Sequence, residues 1–155
     1  MKIAKITVLV FACLLVGSLT LGAAWTSKRL TNNTGSSCFP AIAASGLNVY
    51  VVWYDDTFGG NYDIYFRIST DKGATWQTQK RLTNNTGSSY DPKIAVSGSN
   101  VYVVWHDDTP GNSEIYFRRS TDYGATWQTQ KRLTNNSGHS CSPKISVSSS
   151  NVYVV

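Results

Sequence analysis

The 155-residue chain is 41% hydrophobic, with Lys+Arg 14 against Asp+Glu 9 and a formal net charge of +5. Setting Lys2 and Lys5 aside leaves twelve basic against nine acidic residues, only a mild excess. The positive residues are spread as Lys28-Arg29, Lys80-Arg81 and Lys131-Arg132, so there is no dense basic patch of the kind nucleic acid requires, and a solvated outer surface is expected for them.

Residues 1–24 open with Lys2 and Lys5, run apolar from Ile6 to Val16 and end in Gly22-Ala23-Ala24, the three-part plan of a secretory signal peptide. A membrane anchor is disfavoured because Gly17, Ser18 and Thr20 interrupt the run before it reaches the roughly 20 residues of a spanning helix. The expectation is export, with no membrane partner after cleavage near Ala24.

Residues 25–155 read as all-β, without a helical period. Three units follow one another, at about 38–82, 90–133 and, in part, 141–155. In the second unit, strand one is Pro92 to Val96 and the turn Ser97-Gly98-Ser99-Asn100 closes it. Strand two, Val101 to Trp105, is almost continuously apolar, as a strand covered on both faces should be. A polar loop, His106 to Asn112, leads to strand three, Ile115 to Arg119, and strand four is expected over Trp127 to Leu133. The third unit stops at Val155, within its own strand two, so about two and a half units are present. Such a chain cannot close a ring alone. It is expected either to be a piece of a longer product or to complete the ring as a homo-oligomer.

The turn between strands three and four repeats almost residue for residue. Ser69-Thr70-Asp71-Lys72-Gly73-Ala74-Thr75-Trp76 returns as Ser120-Thr121-Asp122-Tyr123-Gly124-Ala125-Thr126-Trp127. Gly22-Ala23-Ala24-Trp25 echoes its end once more. A period near fifty residues with four short strands per unit is the spacing of propeller blades. Both octapeptides match Ser-x-Asp-x-Gly-x-x-Trp, the Asp-box, and the chain resembles the bacterial neuraminidase repeats of the sialidase-like β-propellers. The chemistry of the box is local: Asp71 and Asp122 can accept backbone N–H groups, Gly73 and Gly124 can take positive φ, and Trp76 and Trp127 can bury a large ring. Ser69, Asp71, Gly73, Trp76, Ser120, Asp122, Gly124 and Trp127 are therefore expected to be structural.

The resemblance implies that an enzyme of this kind would clamp a carboxylate with three arginines and would carry a Tyr-Glu pair and an acidic proton donor. The predicted inner strands, Ala41 to Ala44, Lys93 to Val96 and Lys144 to Val147, contain no arginine. Phe66-Arg67-Ile68-Ser69 resembles the family's Phe-Arg-Ile-Pro motif, but Ser69 stands where proline should be and the segment leads into an Asp-box, so Arg67 is not assigned the catalytic role. Glu114 is the sole glutamate and shares its place with Asp63 of the earlier unit. No catalytic residue is assigned, and no cofactor or metal is expected.

Candidate ligand contacts lie on the loops after strand two: Tyr54, Asp55 and Asp56, and their counterparts His106, Asp107 and Asp108. Paired aspartates beside an aromatic ring can bind sugar hydroxyls or calcium, or can simply organise the turn. A glycan or an extracellular protein is the expected partner. Cys38 and Cys141 occupy the same point of units one and three, too far apart for a bridge. Asn32, Asn84 and Asn135 open Asn-x-Thr/Ser sequons within Asn-Gly-Ser-rich loops.

Overall fold

A computed structural model describes residues 27–57 and 60–155. The expected signal peptide and the echo ending at Trp25 lie outside the described residues. No helix among the described residues is long and apolar enough to cross a membrane.

The chain forms two four-stranded antiparallel sheets and a two-stranded one. β1 (Ser37–Ser45), β2 (Asn48–Asp55), β3 (Asp63–Ser69) and β4 (Lys80–Arg81) pair in sequence order. β5 (Ser89–Ser97), β6 (Asn100–Asp107), β7 (Glu114–Ser120) and β8 (Lys131–Arg132) repeat that order, and β9 (Ile145–Ser148) pairs with β10 (Asn151–Val154). This is the all-β, blade-by-blade architecture expected from the repeat.

Central strands are buried on both faces, which is why β2 and β6 read as apolar runs. Tyr50 and Val52 of β2, with Ile64, Phe66 and Ile68 of β3, pack against Ile94, Val101, Val103 and Trp105 of the second sheet. The other face of the first sheet, Val51, Trp53 and Tyr65, packs against Leu30 and Trp76. Cross-strand partners share a face, so Trp53 stacks on Tyr65 at 5.9 Å and Trp105 on Tyr116 at 6.1 Å.

Two expectations are corrected. The first strand of the second unit begins at Ser89 rather than Pro92, because it continues through a bulge between Tyr90 and Lys93; β1 has the same irregularity between Cys38 and Ala41. Strand four is two residues long, not seven. Gln128 N donates to Arg119 O and Leu133 N to Ile115 O, so five steps along the fourth segment face four along β7. The extra residue breaks the ladder and leaves Trp127 outside it.

The basic residues are also more than a solvated surface. Lys28 Nζ donates to Ala74 O at 2.7 Å, tying the segment before β1 to the turn of the first sheet, and Lys80 Nζ of β4 donates to Gly124 O at 2.9 Å, tying β4 to the turn of the second. Arg67 Nη1 donates to Leu30 O and Arg118 Nη1 to Leu82 O across the same boundaries. Cys38 and Cys141 are free.

Candidate functional site

The repeated turns are built from their own side chains. Ser69 Oγ accepts from Gly73 N at 2.7 Å, and Asp71 accepts from Thr75 N at 2.8 Å and from Thr75 Oγ1 at 2.5 Å. Ser120 and Asp122 do the same for Gly124, at 2.8 Å, and for Thr126, at 2.8 and 2.6 Å. Hydrogen bonds from the Thr75 and Thr126 side chains, then from their backbone N–H groups, hold both aspartates down to about 2. Gly73 and Gly124 take φ of 89° and 85°. Trp76 packs against the Leu30 cluster, and Trp127 crosses to the preceding sheet. Ser69, Asp71, Gly73, Ser120, Asp122 and Gly124 are engaged in these turns, and the two Trp rings in packing beyond them.

The loop aspartates are similarly engaged. Asp55 is 1% exposed and Asp107 0%. Asp107 Oδ2 accepts from Asn85 Nδ2 and Ser89 Oγ, both at 2.7 Å, and from Trp105 Nε1 at 3.3 Å, while Oδ1 accepts from Thr109 N at 3.0 Å. Asp55 repeats this with Asn33, Ser37, Trp53 and Thr57. Burial alone would raise both carboxyls, but the hydrogen bonds outweigh it and hold them below the usual range. Asp56 Oδ1 accepts Ser36 N at 2.6 Å and Asp108 Oδ1 accepts Ser88 N at 2.5 Å, which closes one loop on another. These carboxylates are held in hydrogen bonds within and between loops, and no group of three or more His, Cys, Asp or Glu side chains among the described residues could hold a metal ion.

Tyr54 and His106 sit differently. With Phe39, Tyr90, Asp91 and Ser142 they line an open groove of about 400 Å³, within the size range of small-ligand sites. Phe39 stacks on Tyr54 at 5.5 Å, Tyr54 meets Tyr90 edge-on at 5.5 Å, and Tyr90 stacks on His106 at 5.5 Å. Tyr62 buttresses the middle of this run, 5.1 Å from Tyr54 and 5.4 Å from Tyr90. Phe39, Asp91 and Ser142 occupy the same point of three successive units at φ of 49°, 50° and 55°, the first two within the strand-one bulges. Asp91 is ion-paired with Lys93. Burial lowers the His106 pKa, so the ring is held towards its neutral form.

Sequence reasoning found Tyr54 and His106 but missed Phe39, Tyr62, Tyr90, Asp91 and Ser142. A usable signal was present. Ser37, Pro40, Trp53 and Asp55 repeat as Ser89, Pro92, Trp105 and Asp107, whereas positions lining the groove change from unit to unit.

The arginines are placed away from this groove. Arg67 and Arg118 are bound to backbone carbonyls, Arg81 pairs with Asp63, and Arg132 pairs with Glu114 at 2.9 Å. Glu114 is fully buried, and hydrogen bonds from Thr134 and Asn136 N, with a lesser contribution from Arg132, hold it at about 2.

No family model and no curated protein matches the chain. Among solved structures it is similar to Trypanosoma rangeli sialidase in complex with sialic acid, with a TM-score of 0.52 at 14% identity over 72% of this chain and 22% of that one. It is likewise similar to a mutant of that sialidase displaying trans-sialidase activity, with a TM-score of 0.52 at 14% identity over 83% of this chain and 23% of the other. The fold is therefore that of a sialidase-like β-propeller, built from antiparallel four-stranded sheets. The chain spans less than a quarter of either neighbour's length.

Proposed function

We propose that the chain is an exported, non-catalytic set of Asp-box propeller blades, of the bacterial neuraminidase repeat type, that contacts a ligand through the Phe39–His106 groove. Export to the cell surface or beyond rests on the pattern of residues 1–24. The carrying observation is the placement of charge. The groove is lined by four rings, Asp91 and Ser142, without an arginine, while the arginines at Arg67, Arg81, Arg118 and Arg132 are bound to carbonyls or buried acids. Carboxylate capture by guanidinium has no donor there. Glu114, the sole glutamate, is locked beneath Thr134 and Arg132 and is not among the residues that line the groove.

A second reading is favoured by the neighbours themselves, which are sialidases several times longer than this chain. On that reading the chain is a piece of an exo-sialidase whose catalytic residues lie in other blades. Incubation of a full-length parent protein with 4-methylumbelliferyl sialoside separates the two. Fluorescence at the level of the protein-free blank is expected, and enzymatic release of methylumbelliferone would overturn the non-catalytic reading.

A further inference from the structure

We propose that the groove binds an uncharged hexopyranose of an oligosaccharide, laid against the Phe39, Tyr54 and Tyr90 rings and hydrogen-bonded by Asp91, Ser142 and His106. The inference rests on the non-catalytic reading above and gives its ligand a chemical class.

The first argument is where the units differ. Cys38, Tyr90 and Cys141 are equivalent positions, as are Phe39, Asp91 and Ser142, Tyr54 and His106, and Tyr62 and Ser113. The backbone at the second of these sets is left-handed in every unit, at φ of 49°, 50° and 55°. Folding thus asks for one conformation three times while the side chain changes from aromatic to acid to hydroxyl. Phe39, 65% exposed in that conformation, adds little to the core and bears an energetic cost for its φ. A demand from the solvent side accounts for such variation, and six of these ten positions line one groove.

The second argument is chemical. A pyranose with equatorial hydroxyls has an apolar C–H face and a polar edge, which suits ring faces bordered by a few hydrogen-bonding groups. The groove has that composition. His106 lines the groove, and its buried Nδ1 has no partner among the described residues. Such an atom is costly to leave dry and unpaired.

The third argument is charge. Asp91 is the sole charged side chain in the lining and is already matched by Lys93. An anionic sugar finds no free cation, and a cationic ligand finds no unpaired carboxylate. The Tyr54 and Tyr62 hydroxyls are kept protonated, first by burial and then by neighbours that include Asp91 for Tyr54 and Asp56 for Tyr62, so they remain hydrogen-bond donors.

Calorimetric titration of the chain with cellohexaose, laminarihexaose and maltohexaose, alongside 3′-sialyllactose and phenyltrimethylammonium, tests the proposal. At least one uncharged hexaose is expected to bind, more tightly than either charged probe. Phe39→Ala, at an exposed ring, should weaken that binding about tenfold with unchanged circular dichroism, and Asp91→Ala should weaken it as well. Absence of hexaose binding up to ~10 mM, tighter binding of a charged probe, or indifference to both substitutions would overturn it. The methylumbelliferyl assay fails or succeeds separately, so loss of this inference is distinguishable from loss of the non-catalytic reading.

Discussion

The Trp127 indole meets the Phe66 ring edge-on, with centroids 5.1 Å apart, across the boundary between the two four-stranded sheets. Gly124 lies beside the same ring: a Cβ there would come within 2.4 Å of Phe66 Cζ, at a φ of +85°. The repeated turn is thus a cap that one blade places on its predecessor, and its glycine is required for both backbone angle and space.

Gly124→Ala is therefore expected to destabilise the chain by about 2–4 kcal/mol, combining left-handed strain with overpacking. Gly98→Ala, at φ +57° with nothing within 4 Å of its Cβ, should cost only about 1–2 kcal/mol. Urea unfolding checks the difference, and Phe66→Leu should recover part of the Gly124→Ala loss.

Arg118 donates Nε to Gln128 O at 2.7 Å and Nη1 to Leu82 O, joining three segments with one planar fork. A lysine lacks the planar fork that presents separate donors to these two carbonyls. Arg118→Lys should lower stability by about 1.5–3 kcal/mol, with the Leu82 carbonyl left short of a donor. Equal stability of the two proteins in denaturant would show that the fork is dispensable.

Asp107 and Asp91 should behave in opposite ways. Asp107→Ala strands Asn85, Ser89 and Trp105 donors in a buried site and is expected to cost about 3 kcal/mol or more. Asp91→Ala removes a partly exposed ion pair, and its effect on stability should stay within about 1 kcal/mol. Paired thermal melts and hexaose titrations would reveal the split between a structural acid and a ligand-facing one.

Acid sensitivity follows from Asp71, Asp122 and Glu114, each held at about 2 in the folded chain. Ordinary carboxyls in an unfolded chain titrate near 4. Because the folded values are depressed, the stabilisation is complete above roughly pH 4 and is lost as pH falls through about 2. Melting temperature should decline over that window. The Asp71→Asn, Asp122→Asn double variant should melt lower at pH 7 and show a shallower acid limb; a parallel limb would contradict the assignment.

Much of the fold was legible because the repeat exposes it. Apolar Val101 to Trp105 marked a strand covered on both faces, and the spacing of the two octapeptides set the unit. Strand ends were harder. The bulge at Tyr90 and the extra residue beyond Trp127 are matters of hydrogen-bond register, which residue types do not encode. The candidate site was only half visible. Asp55 and Asp107 look like free acids in sequence, yet their partners come from Asn33 and Asn85, more than twenty positions earlier. Repetition also misled: similarity drew attention to what the units share, while Phe39, Asp91 and Ser142 are informative because they differ.

The central claim is that ligand contact belongs to this variable groove and not to the repeated turns or loop aspartates. Amide chemical-shift mapping on the labelled chain, titrated with the hexaose that binds, addresses it directly. Perturbations gathered at Phe39, Tyr54, Tyr90, Asp91, His106 and Ser142 are predicted. Perturbations centred on Ser69–Trp76 or Ser120–Trp127, with the groove silent, would contradict the account.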